Sequence, residues 1–135
     1  MKNNLINKDI AIIAYAETKN VRRSGRATYD IAAEATAKVL DYAGLGTKDI
    51  DGMATMLPSS EAGNNFYSNY LGDHLGLTTT WTQTTDLGGA AMLGNVSRAA
   101  MAIQSGYCEM VLSIAAAAPT TRRVDDQRSY RTEFR

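Results

Sequence analysis

The sequence predicts an α/β fold in which a mostly parallel sheet is covered by helices. Short apolar runs of strand length, at residues 10–16, 53–57 and 110–115, alternate with segments whose apolar side chains recur every three or four residues. Glycine or proline closes most of these segments, at Gly44, Pro58, Gly76 and Gly106. A 135-residue chain with 44% hydrophobic residues is also long enough to bury one core.

The elements follow in order. Residues 10–16, IAIIAYA, are apolar, rich in branched side chains and bounded by polar ones, so a buried strand is expected there. The next stretch carries Lys19, Arg22, Arg23 and Arg26 around Ser24-Gly25, a loop composition with local positive charge. From Thr28 the spacing of Ile31, Ala32, Ala35, Val39 and Tyr42 predicts a helix that ends at Gly44. Residues 53–57 predict a strand, stopped by Pro58, which cannot donate to a ladder.

Phe66, Tyr67, Tyr70, Leu71, His74 and Leu75 recur at helical spacing up to Gly76. Residues 78–85, TTTWTQTT, are dense in β-branched threonine around Trp81, which predicts a strand whose hydroxyls meet polar partners. Asp86-Leu87-Gly88-Gly89 then opens a helix over residues 90–105, small and apolar nearly all round and therefore expected to be buried on most faces. A last buried strand is expected at 110–115. Residues 1–118 form the expected α/β unit. Residues 119–135 carry five arginines and three acids and are too polar for a core, so they either lie on a partner or begin a loop region that continues beyond this sequence.

Composition excludes several functions. Fourteen basic and fourteen acidic residues cancel, leaving no overall field for nucleic acid or an anionic membrane. No apolar run approaches the roughly 18 residues of a membrane span, and the polar start MKNNLINKDI lacks the apolar core of a signal peptide, so a cytoplasmic protein is expected. His74 and Cys108 are the only histidine and cysteine, too few nitrogen and sulfur ligands for a zinc centre, and no metal is expected. Gly44-Leu45-Gly46 follows a helix instead of a strand, the wrong context for a dinucleotide loop. Asn95-Val96-Ser97 matches the glycosylation sequon inside an expected buried helix, a chance match.

His74, on an amphipathic helix, is expected to be a partly buried structural residue. Cys108 follows Gly106, at the negative end of the helix over 90–105, where a thiolate is disfavoured, so a buried structural role is expected. At the other end of that helix, the turn after the threonine strand presents free N–H groups and a positive pole, suited to an oxyanion or a thioester carbonyl. The plain alternative is that Asp86 caps the helix and Gly88 and Gly89 permit close packing.

The phrases SGRATYDIAAEATAKVLDYAGLGTKDIDGM and LGGAAMLGNVSRAAMAIQSGYCEMVLSIA, with the order of elements, resemble the N-terminal half of the thiolase superfamily, particularly its sterol-carrier-protein-like branch. The resemblance covers residues 9–118 and implies a layered thiolase-like fold and a coenzyme A thioester as substrate, with no cofactor. In that family a nucleophilic cysteine opens the long buried helix. Counting back from Ala99-Ala100-Met101-Ala102-Ile103-Gln104-Ser105-Gly106 places Gly89, within one residue, at that position. Glycine cannot form an acyl-enzyme. Cys108, about 17–19 residues away along the helix, cannot substitute for it.

The resemblance therefore implies a protein acting on acyl-CoA thioesters by non-covalent, aldolase-like carbon–carbon chemistry, since a retro-aldol step needs a general base and an oxyanion site but no acyl-enzyme. Gly88, Gly89 and Ala90 would form the oxyanion turn and the base would come from outside these residues. The family's C-terminal catalytic motifs do not occur here, so the chain is expected to be a fragment or split subunit, with an inactive remnant as the alternative. Two other functions stay open, a non-catalytic binding or assembly subunit and an acetyl-CoA acetyltransferase. The resemblance further implies a homodimer through strand 78–85, burying Thr80, Trp81 and Thr82, and a C-terminal half or an OB-fold (DUF35-like) partner. Arg22, Arg23 and Arg26 are candidates to meet coenzyme A phosphates.

Overall fold

A computed structural model describes residues 10–119. Its regular elements are helix α1 (Thr28–Ala43), strand β1 (Gly52–Met56), helix α2 (Tyr67–His74), strand β2 (Trp81–Thr85), helix α3 (Ala91–Gln104) and strand β3 (Val111–Ile114). Short 3-10 turns at Thr47–Asp49, Ser59–Glu61 and Gly88–Ala90 link them. The strands form one parallel sheet in the order β2-β1-β3, with Gly52 opposite both Trp81 and Val111, and Met56 opposite Thr85.

Side-chain alternation sorts the two faces. Met53 and Thr55 of β1, with Leu112 and Ile114 of β3, share the face that packs on α1 and α2 through Ala32, Leu40, Tyr67, Leu71 and Leu75, and this is the apolar core. Gly52, Ala54, Met56, Ser113 and Thr85 face α3, which meets the sheet through a narrow stripe of Ala91, Asn95, Ala99 and Ala102. The crossover through α2 runs one way across the sheet on one face, and the crossover through α3 runs back on the other. The two connections therefore share one hand, as parallel connections do. The fold is the layered, thiolase-like α/β arrangement the sequence predicts.

All three helices stop where the sequence says they should. Gly44 has φ 69°, and the N–H of Leu45 donates to the Leu40 carbonyl at 2.9 Å while that of Gly44 donates to Asp41 at 3.1 Å, a Schellman closure repeated at Gly76 and Gly106. A side chain at such a backbone angle costs about 1 kcal/mol or more.

Asp51 ties the amino-terminal edge of the sheet together. Its carboxylate accepts the N–H groups of Glu109, at 2.9 and 3.0 Å to its two oxygens, and of Met110 at 2.8 Å. Its carbonyl accepts the Thr80 N–H at 2.8 Å and the Thr80 hydroxyl at 3.1 Å. One residue thus holds the starts of all three strands.

Two expectations are corrected. Residues 10–16 form no strand and are largely exposed, with Ile12 at 78% and Tyr15 at 72% relative exposure. The apolar run has strand composition, but among the described residues no neighbouring strand pairs with it. Helix α3 is not buried on most faces: Met92, Leu93, Val96 and Met101 are exposed, because among the described residues only the sheet covers it. No helix among the described residues is long and apolar enough to cross a membrane. The tail beyond residue 119, expected to be polar loop, lies outside the described residues.

Candidate functional site at the carboxyl edge of the sheet

In parallel α/β sheets ligands bind beyond the carboxyl ends of the strands. Here that edge is formed where β2 runs out into Asp86-Leu87 and the turn Gly88–Ala90, and where β3 runs out toward Pro119. The turn is exposed over its whole length. Gly88 adopts φ 54°, the N–H of Ala90 donates to the Leu87 carbonyl at 3.2 Å, and that of Ala91 donates to Gly88. Among the described residues no side chain caps α3. Asp86 is exposed and among the described residues makes no cap bond, so it does not cap the helix as the plain alternative expects.

A Cβ built at Gly89 meets no atom of the described residues within 4 Å, so their close packing does not require glycine there either. The turn instead presents main chain to open space at the start of a 14-residue helix whose dipole makes it positive. Such a place can accept an oxyanion; it has no side chain that could be acylated at Gly88, Gly89 or Ala90.

Arg98, which sequence reasoning passed over, reaches back from α3 and donates to the Thr85 hydroxyl at 2.9 Å, fixing the last residue of β2 just before the turn. Its only sequence signal is its place as the lone cation in an alanine-rich helix. Asn95, one turn earlier, is fully buried in the stripe facing the sheet, and neither polar atom of its side chain has a hydrogen-bond partner among the described residues.

Cys108 lies at the opposite edge. A Cβ placed on Gly52 would come within 2.9 Å of its Sγ, which locates the thiol at the start of β1, while Gly88 follows Thr85 at the sheet's far end. The thiol is buried, and burial followed by the Asp51 carboxylate pushes its pKa up from the usual value. His74 sits exposed at the end of α2, its ring edge-on to Tyr29 at 5.5 Å between centroids, where a partly buried position was expected. Tyr29 in turn packs on buried Tyr67, whose hydroxyl is pushed far up by desolvation. Among the described residues no group of three His, Cys, Asp or Glu side chains is placed to hold a metal ion.

The threonine strand supplies β2 from Trp81 onward. Thr80 precedes it, with its hydroxyl on the carbonyls of Asp51 and Tyr107 at 3.1 and 2.6 Å. Thr80 and Thr82 are exposed and Trp81 half-buried, on a strand bonded, among the described residues, only to β1. Of the three candidate arginines, Arg22 and Arg26 line one cleft together with Lys19, and Arg23 does not. Arg26 is paired with Glu34 and also donates to the Asp30 carbonyl at 3.1 Å.

With this geometry in place the chain can be set beside known proteins. It is similar to a solved aldolase. That structure, Ltp2-ChsH2(DUF35) aldolase, superposes with a TM-score of 0.71 at 26% identity over 90% of this chain. The chain spans 32% of the length of that aldolase chain. No protein-family model and no curated protein matches the sequence.

Proposed function

We propose that this chain is the thiolase-like N-terminal portion of an enzyme that acts on acyl-CoA thioesters by aldolase-like carbon–carbon bond chemistry without an acyl-enzyme. The observation that carries the proposal is the exposed turn Gly88–Ala90, which offers the main-chain N–H groups of Gly88 and Gly89 beside a helix start, that of Ala90 being held by the Leu87 carbonyl, and no nucleophilic side chain. The likeness to an aldolase supports the same reading, and it favours a multi-chain assembly in which an OB-fold partner or a C-terminal half completes the site.

In the cleavage direction, a base removes the proton of the substrate's β-hydroxyl. That oxygen becomes a carbonyl as the bond between the α and β carbons breaks, and the electron pair moves onto the thioester as an enolate. The N–H groups of Gly88 and Gly89 stabilise the negative charge on the thioester oxygen until the α carbon is protonated. Arg98 acts as a positioning residue, holding Thr85 and so the aim of the turn.

A second reading, a non-catalytic assembly subunit, draws on the exposed apolar side chains Met92, Leu93, Val96 and Met101 along α3. An acetyl-CoA acetyltransferase would need a nucleophile at the turn. Dimerisation through β2 remains part of the proposal, with Thr80, Trp81 and Thr82 losing exposure. The experiment is to assemble the complete enzyme and follow cleavage of a β-hydroxyacyl-CoA before and after treatment with iodoacetamide. Cleavage that survives alkylation supports the aldolase reading. Acyl transfer lost on alkylation overturns it.

A further inference from the structure

The second feature on the carboxyl edge of the sheet is a cleft of about 330 Å³ between the loop before α1 and the chain leaving β3. Ala117, Ala118 and Pro119, which follow the end of β3, form one wall. Ile31 in the first turns of α1 contributes to another. The start of α1 is held at this edge by the Thr28 hydroxyl, 2.7 Å from that of Ser60, which lies just beyond the end of β1.

Lys19, Arg22 and Arg26 line this cleft, with the hydroxyl of Ser24 beside them. No carboxylate is found among the described residues that line it. In a chain whose formal charges cancel, Lys19 and Arg22 around one cavity, beside an Arg26 whose charge is shared with Glu34, form a local positive field. Arg26 is already oriented by Glu34 and the Asp30 carbonyl, and its N–H donates to the Ser24 hydroxyl at 3.3 Å. Lys19 and Arg22 therefore supply the charge available to a ligand. A guanidinium offers a phosphate two parallel N–H bonds, and an ammonium adds a point charge. The α1 N-terminus, which has no side-chain cap, adds its positive pole on the same side. The volume is at the small end for ligand clefts, roughly 300–1,000 Å³, and suits a pyrophosphate group better than a whole nucleotide.

We propose that this cleft binds a pyrophosphate-type group through Lys19 and Arg22, with Arg26 as the oriented third cation. Arg23, outside the cleft, takes no part. The proposal deepens the acyl-CoA reading, because coenzyme A carries such a group, but it stands on the cleft and not on the chemistry at the turn.

The test is titration of the 15N-labelled full chain with inorganic pyrophosphate at constant ionic strength. Saturable shifts at residues 18–26 and 117–118 are expected. Lys19→Ala with Arg22→Ala should raise Kd at least about tenfold, Arg22→Gln alone at least roughly threefold, and Arg23→Ala or Lys48→Ala less than about twofold. Absence of saturation up to roughly 10 mM, or equal weakening by Arg23→Ala, overturns the proposal. Competition then identifies the source. If coenzyme A displaces pyrophosphate and pantetheine does not, the group is that of the thioester substrate. If neither displaces it, the cleft serves another phosphorylated ligand, so the site stands and the acyl-CoA reading loses this support.

Discussion

Replacing Asp51 by alanine tests how the sheet is held at its amino-terminal edge. The carboxylate receives the N–H groups of Glu109 and Met110 across 58 and 59 residues of sequence, at 2.8–3.0 Å. Hydrogen bonds to a charged acceptor contribute roughly 1.5–3 kcal/mol each. Glu109 is exposed and water can replace part of its bond, so the expected loss is about 2–4 kcal/mol for the pair. With a urea m-value of roughly 2 kcal/mol/M the unfolding midpoint falls by about 1–2 M. Asp51→Asn keeps one oxygen for Met110 and should lose about half as much. Amide exchange sharpens the test. Glu109 and Met110 lose protection, whereas Thr80, bonded to the Asp51 main-chain carbonyl, keeps it. An alanine variant within about 0.5 kcal/mol of the parent would show that the carboxylate does not hold this edge of the sheet.

Gly52→Ala places a methyl 2.8 Å from Val111 and 2.9 Å from the Cys108 Sγ, so strand β3 or its approach must shift; a loss of about 1–3 kcal/mol is expected by urea unfolding. Because folding raises the Cys108 pKa, the folded state holds that proton more tightly than the unfolded chain. Its contribution to stability is complete below the unfolded thiol's value of roughly 8.5 and is lost as pH rises through the higher folded value. Unfolding midpoints at pH 7.5 and 9.5 should therefore fall more for the parent than for Cys108→Ala. Gly89→Cys meets no atom and places a thiol at the positive end of α3, lowering its pKa by a few tenths of a unit to about 0.7. Peptide mapping after brief iodoacetamide treatment at pH 7.5 should find the introduced thiol labelled at least about tenfold faster than buried Cys108.

Local chemistry made much of this fold legible. Gly44, Gly76 and Gly106 mark helix ends because the left-handed closure is a property of a few neighbouring residues, and Pro58 marks the end of β1 for the same reason. Alternating strand and helix signals carried the parallel sheet. The run 10–16 misled, because apolar composition reports a need for burial and not the presence of a partner. Helix α3 misled in the same way: alanine and methionine around its circumference do not say which face the sheet takes.

At the candidate site, the glycine turn and the cationic loop were visible as composition. Arg98, Asp51 and Lys19 were not distinguished, because their roles depend on contacts that the chain makes only after crossing the sheet. Arg98 meets Thr85 at a separation of 13 residues, and Lys19 shares its cleft with Ala117, far from it in sequence.

On the proposed reading, substrate is handled at the start of α3 without a covalent bond to this chain. Intact-mass measurement of the chain, taken from the working assembly during turnover of an acyl-CoA and quenched in acid, tests it directly. An unmodified mass is expected throughout. A mass increase equal to the acyl group, mapped to any residue from 86 to 92, would contradict it.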